Sequence, residues 1–184
     1  MRAVMIRDVA GMLCLLLALP LVAQAVDLGD PRSVNQLLYH DGNADGKKFT
    51  GSAGEIVAFR LPTADRRIAG LRIFGSQFGA LPPAGDFEIF FLDAKTNQIV
   101  ASETARNSLF SRGLEQWVQI KFAQPIKVPM DFKVALKFSS SRDKGVSVGY
   151  DTSTRGKYSQ VGPPGAARKV DFGGDWMIEV MLTK

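Results

Sequence analysis

The feature that most constrains the fold is a punctuation repeated from residue 55 to residue 182. Short runs with every second residue apolar are each closed by a cluster of Gly, Pro, Asn, Asp or Ser. A period of two is the side-chain period of a strand, whereas a helix buries residues three and four apart. No window carries helical spacing long enough to compete.

Each run predicts which side chains face a core. Val57, Phe59 and Leu61 share one face of the first, which Pro62 stops. In residues 67–75, Leu71 and Ile73 lie opposite Arg72 and Phe74, and residues 78–85, with Pro82-Pro83, read as a loop. Residues 87–93 are apolar on both sides, the mark of a strand covered on both faces. Lys95-Thr96-Asn97 turns that run into residues 98–104 as a hairpin. In residues 116–122, Val118, Ile120 and Phe122 face one way, and Trp117, Gln119 and Lys121 the other.

Pro125 and Pro129 bound what reads as a short edge strand, since proline cannot donate to a ladder. Phe132, Val134, Leu136 and Phe138 point inward from the next run, with Lys133 and Lys137 outward. Val146, Val148 and Tyr150 follow on one face, residues 152–174 read as a long Gly- and Pro-rich loop, and Trp176, Ile178, Val180 and Leu182 close the core. Met177, Glu179 and Met181 face away. The expectation is all-β: about nine strands in a jelly-roll-like β-sandwich, antiparallel because the connections are too short for helical crossovers.

The start of the chain has a different composition. Arg2 and Arg7 precede an apolar run from Gly11 to Val22, and Ala23-Gln24-Ala25 follows. This is the pattern of a secretory signal peptide over residues 1–25, too short for a membrane span. Export to the periplasm or the extracellular space follows, with no transmembrane segment in the mature chain. The one cysteine, Cys14, sits among leucines inside the apolar run, where lipidation does not occur. No cysteine remains after residue 25, so the domain must fold by packing alone, which fits a bacterial envelope. Residues 26–38 read as a lead-in and residues 39–184 as one domain.

The net charge of +5 is dispersed, with basic pairs only at Lys47-Lys48, Arg66-Arg67 and Arg168-Lys169. Scattered charge reads as a solvated surface and argues against a nucleic-acid partner. Polyanionic glycans and anionic lipid surfaces remain compatible with it.

The sequence also resembles a known family. The stretches that carry the likeness are Tyr39-x-Asp-Gly-x-Ala-x-Gly-Lys-Lys, Gly54-x-x-Val-x-Phe, Ile73-Phe-Gly-Ser-x-Phe-Gly, Phe87-x-Ile-Phe, Trp117-Val-x-Ile, Lys144-Gly-Val-x-Val-Gly-Tyr-Asp and Gly174-Asp-Trp-Met-Ile-Glu. Together they resemble an uncharacterised bacterial extracytoplasmic β-sandwich domain, found alone behind a signal peptide or attached to larger envelope proteins. The likeness implies a jelly roll of the carbohydrate-binding and galactose-binding-like kind. It implies no catalytic residue.

Four constellations bear on chemistry. Asp41, Asn43 and Asp45 with Gly46 match the first ligand positions of a calcium loop. Ser52 stands where that loop needs a bidentate glutamate, and Lys47 and Lys48 crowd the cation, although Glu55 could approach from the next strand. The competing reading is a pair of turns whose Asp and Asn side chains bond nearby backbone, and the lysines favour it. His40 is the only histidine, so a zinc site lacks ligands and a turn role is expected.

Glu88, Glu103, Glu115 and Glu179 lack the close acidic pairing of jelly-roll glucanases and read as solvent-facing. Trp117, Gln119 and Lys121 form an aromatic and polar platform suited to a sugar ring, which Lys133, Lys137 and Ser147 would extend if their strands are neighbours. Alternatively, the loop over residues 152–174 folds onto Trp117 and buries it. The function expected is a non-catalytic glycan-binding module of the envelope. The alternatives are a structural or protein-interaction module with an envelope-protein partner, then a glycan hydrolase or lyase.

Overall fold

The computed structural model describes residues 35–51, 53–79 and 85–183. The export signal expected over residues 1–25, most of the lead-in, Ser52 and the Pro82-Pro83 loop lie outside them. In chain order the strands are β1 (Gln36–Leu37), β2 (Gly46–Lys48), β3 (Glu55–Arg60), β4 (Ile68–Gly79), β5 (Asp86–Asp93), β6 (Ile99–Arg106), β7 (Gln116–Ile126), β8 (Asp131–Lys137), β9 (Lys144–Asp151), β10 (Ser159–Val161), β11 (Arg168–Lys169), β12 (Asp175–Trp176) and β13 (Ile178–Leu182).

They form two antiparallel sheets. The smaller, six-stranded sheet has the order β11-β10-β3-β8-β5-β6. The larger, seven-stranded sheet contains β1, β2, β4, β7, β9, β12 and β13. The chain changes sheets at most connections, as expected of a jelly-roll-like sandwich.

The larger sheet is organised on β4. Ile73 pairs with Ile178 of β13 and also with Val118 of β7, while Gly75 pairs with Val148 of β9 and with Gln116 of β7. A strand has two edges, so β7 runs along one edge of β4 and β13 and β9 share the other in succession. Gly70 lets β7 approach: a Cβ there would lie 2.2 Å from the Ile120 carbonyl oxygen. The inner faces meet through Val57, Phe59, Ile73, Phe91, Val134, Val148, Trp176 and Val180, all nearly fully buried. Each such side chain contributes about 1.5–3 kcal/mol of burial.

The alternation predicted these faces, and residues 87–93 are buried on the inner face but covered only in part on the outer one, where Glu88 is exposed and Phe90 half-buried. Phe87, Ile89 and Phe91 enter the main core, while Leu92, with Ile56 and Ala135, forms a second cluster outside the smaller sheet against Phe90 and Ala167. The hairpin expected at Lys95-Thr96-Asn97 is present. The Asp93 carboxylate accepts from the Lys95 and Thr96 amides at 2.8 and 2.9 Å, and Asn97 takes φ 57°.

Four expectations change. Among the described residues the strands number thirteen rather than about nine, the excess being two- and three-residue pieces. Gln36 and Leu37, placed in the lead-in, pair with Met181 and Val180, and Leu37 joins the core. Strand β7 continues through Pro125 to Ile126; no strand pairs with its other edge among the described residues. Residues 152–174 are not one open loop, because β10 and β11 join the smaller sheet there. The buried Asp175 carboxylate pins their start, accepting from the Lys157 and Tyr158 amides at 3.0 and 2.8 Å and from the Thr154 hydroxyl.

Candidate ligand-binding site

Register on the larger sheet sets one row of outward side chains beside another. Phe74 on β4 lies opposite Trp117 on β7, and Arg72 lies between Gln119 on β7 and Glu179 on β13. Trp117 is half-buried. The Arg72 guanidinium lies 4.7 Å from its ring centre, the Phe74 ring 5.4 Å away and the His40 ring 5.1 Å away. A guanidinium over an indole is held by the ring quadrupole, so Arg72 fixes the tryptophan as well as flanking it.

Arg72 is itself fixed by Glu179, with Nη1 at 2.7 Å from Oε2. Glu179 also accepts from the Gln36 amide, and its carboxylate is nearly inaccessible. The expectation of a solvent-facing glutamate is therefore corrected. Glu179 does project from the outer face, but Gln36 of β1 and His40, on the segment between β1 and β2, both reach its carboxylate.

His40 Nε2 lies 3.2 Å from Glu179 Oε1, out of hydrogen-bond alignment. Its Nδ1 accepts from the Gly42 amide at 3.1 Å, which places the proton of the neutral ring on Nε2, facing the carboxylate. Tyr39, one residue earlier, turns the opposite way. It packs against the core and stacks on Tyr158 at 3.6 Å and on Phe59 at 5.3 Å.

Beyond Trp117 the row is open: Gln119 and Lys121 are both exposed. Gln119 touches the Met181 sulfur at 3.4 Å, and Lys121 lies opposite Gly70, over which the Met181 side chain also reaches. Residues 152–174 do not cover Trp117 with their strands, since β10 and β11 extend the other sheet from β3. Lys133 and Lys137 do not extend the platform either, because β8 belongs to that other sheet. Lys133 Nζ reaches Asn97 at 2.8 Å and Lys137 Nζ reaches Glu88 at 2.8 Å. Ser147 is on the same sheet, opposite Ser76, but buried.

Asp41 and Asp45 each direct a carboxylate oxygen at a backbone amide, and Asn43 supplies one of those amides. Asp41 Oδ1 accepts from the Asn43 amide at 2.8 Å, and the Asp41 amide donates to Asp151 Oδ2 at 2.9 Å. Asp45 Oδ2 accepts from the amide and the hydroxyl of Thr152 at 2.7 and 2.6 Å. Burial alone would raise the Asp151 carboxyl, but hydrogen bonds from Ser153 and Asp41 outweigh it and hold the group below the usual aspartate range. Among the described residues no three His, Cys, Asp or Glu side chains gather as a metal ligand set.

Glu55, the acid that could have approached a cation there, sits at the start of β3 and is fully buried. Its carboxyl accepts from the Thr50 hydroxyl at 2.5 Å, and burial pushes it up to about 7. Glu88 and Glu115 are surface acids paired with Lys137 and Lys47.

No protein-family model matches the chain, and no curated protein sequence is significantly similar to it. Solved structures do match in shape. The clostridial cysteine protease Cwp84 after propeptide cleavage superposes with a TM-score of 0.56 at 9% identity, over 82% of this chain and 41% of that one. The cysteine protease and lectin-like domains of Cwp84, a surface-layer-associated protein of Clostridium difficile, give 0.51 at 8% identity, over 81% and 36%. The chain thus spans less than half the length of either. At such identity the likeness is one of fold, an all-β sandwich. Among the described residues, no helix is long and apolar enough to cross a membrane.

Proposed function

We propose that this protein is an exported, non-catalytic binding module of the bacterial envelope that takes a cell-surface glycan on the outer face of its larger sheet. The observation that carries the reading is Trp117, held half open between Arg72, Phe74 and His40, with Gln119 and Lys121 exposed beside it on one strand. An indole face packs against the C–H side of a sugar ring, while an amide and an ammonium bond its hydroxyls. Same-face residues on a strand repeat at about 6.8 Å, so Trp117 to Lys121 spans about 14 Å. That length suits more than one sugar unit.

Support comes also from the lectin-like domain named in one structural neighbour, and from the resemblance to an extracytoplasmic β-sandwich family. The signal-peptide pattern of residues 1–25 supports export. Calcium has no assigned part in this reading. Retention on an array of bacterial glycans tests it: the protein should be retained, and Trp117→Ala should lose retention without unfolding.

A second reading is a protein-interaction module. One observation favours it: β6 is an end strand of the smaller sheet, and Ile99 and Val100 on it are 52% and 44% exposed. Strand addition at that edge would satisfy the open backbone groups and cover both residues. An envelope protein captured by the parent and lost with Val100→Lys would favour this reading over the glycan.

A further inference from the structure

We infer that the outer face of the smaller sheet carries a second site, for a neutral amphiphile with an apolar tail and a hydroxylated head, of the alkyl glycoside type. A cleft of about 320 Å³ opens there between the Pro163-Pro164 turn on one side and Phe90 and Ile99 on the other, with Ala135 on its floor and Lys137 at its rim. Its lining is almost wholly apolar. The volume falls at the low end of the range for ligand pockets, about 300–1,000 Å³, whose usual makeup is apolar walls with a few polar groups at the mouth.

The walls are fixed. The Gly162 amide donates to the Gly54 carbonyl at 3.1 Å, and the Ala166 amide to the Pro163 carbonyl at 3.0 Å, which hold the turn over the sheet. Ala135 is the small residue that leaves the space. It is buried with Ile56 and Leu92 and pairs across strands with both Ile56 and Phe90.

The head group follows from what adjoins the cleft. Phe90 also lines a second, polar cavity of about 180 Å³ with Glu88, Ser102, Glu103 and Thr104; Glu103 pairs across strands with the core-facing Ile89, so its carboxylate belongs to the other face of the sheet. Between the two, Lys137 Nζ and Glu88 Oε2 pair at 2.8 Å, so the rim is polar but has no net charge. An ammonium, a carboxylate and two hydroxyls offer donors and acceptors to a polyol. A charged head would gain at one partner of that pair and lose at the other. The rim therefore complements a neutral hydroxylated head beside an apolar tail.

Titration calorimetry with octyl glucoside below its micelle concentration tests this on the exported protein. The expected result is one-to-one binding, absent with glucose alone and weaker with octanoate or octylamine. Ala135→Leu, which fills the floor, should weaken it about tenfold or more. Ile99→Lys, at an exposed rim position, should do so even if the floor variant folds poorly. Trp117→Ala should leave it unchanged, which separates this site from the glycan face. The proposal is overturned if octyl glucoside does not bind, if neither cleft variant weakens it, if Trp117→Ala abolishes it, or if octanoate or octylamine binds as tightly.

Discussion

His40 and Glu179 face each other at 3.2 Å on the outside of a β-sheet, with both side chains only 4% exposed. Glu179 also holds Arg72 at 2.7 Å, and Arg72 lies over Trp117. The histidine and the carboxylate lie in distant parts of the chain, and their meeting turns an outer sheet face into a fixed platform.

Removing the carboxylate should therefore cost more than a surface mutation. Glu179→Ala leaves Arg72 without its partner beneath the Gln36–His40 segment. Losing one partner of a buried pair costs about 3–5 kcal/mol; with Arg72 34% exposed, about 2–3 kcal/mol is expected. Urea denaturation measures it. The paired replacement Arg72→Met with Glu179→Leu should recover much of the loss, and no recovery would mean that the pair is not the source.

Glu55 makes stability depend on pH. Its folded carboxyl lies at about 7, against 4.5 for the ordinary group, because burial disfavours the charge. Between those values the native state holds a proton that the unfolded chain has released. The stability governed by Glu55 is thus greatest at or below about pH 4.5 and falls as pH rises toward 7, by about 3 kcal/mol in all. Glu55→Gln should remove that slope and raise the melting temperature at pH 8. An identical pH slope in the variant would contradict this.

Asp45 should behave as a turn residue. Asp45→Ala removes both acceptor contacts to Thr152 and is expected to cost about 1–2 kcal/mol, the same in calcium and in chelator. Thermal melts in both conditions decide it. A calcium-dependent rise in the parent that disappears in the variant would restore Asp41, Asn43 and Asp45 as a cation site.

How far the sequence carries depends on what is local. Alternation assigned the inward faces of β3, β5, β7, β8 and β9, because strand period is a local property that the core reads directly. It also put Trp117, Gln119 and Lys121 on one outer face. It could not say that Lys133 and Lys137 lie on the other sheet, since strand neighbours are set by distant pairings such as Phe74 with Trp117. Nor did it find the role of Glu179, whose burial comes from Gln36 and His40 far back in the chain. One signal was present: Glu179 stands between two methionines, Met177 and Met181, on a face that should otherwise be polar, and such a row marks a covered surface. The strands of residues 152–174 escaped because Asp175, outside that stretch, holds their start in place.

The measurement closest to the central claim compares the parent, Trp117→Phe and Trp117→Ala on a glycan retained by the parent, with unfolding midpoints taken in parallel. Loss of the aromatic face should weaken binding about tenfold or more in Trp117→Ala, while Trp117→Phe keeps most of it and both variants stay folded. Unchanged glycan affinity in a folded Trp117→Ala protein would contradict the account.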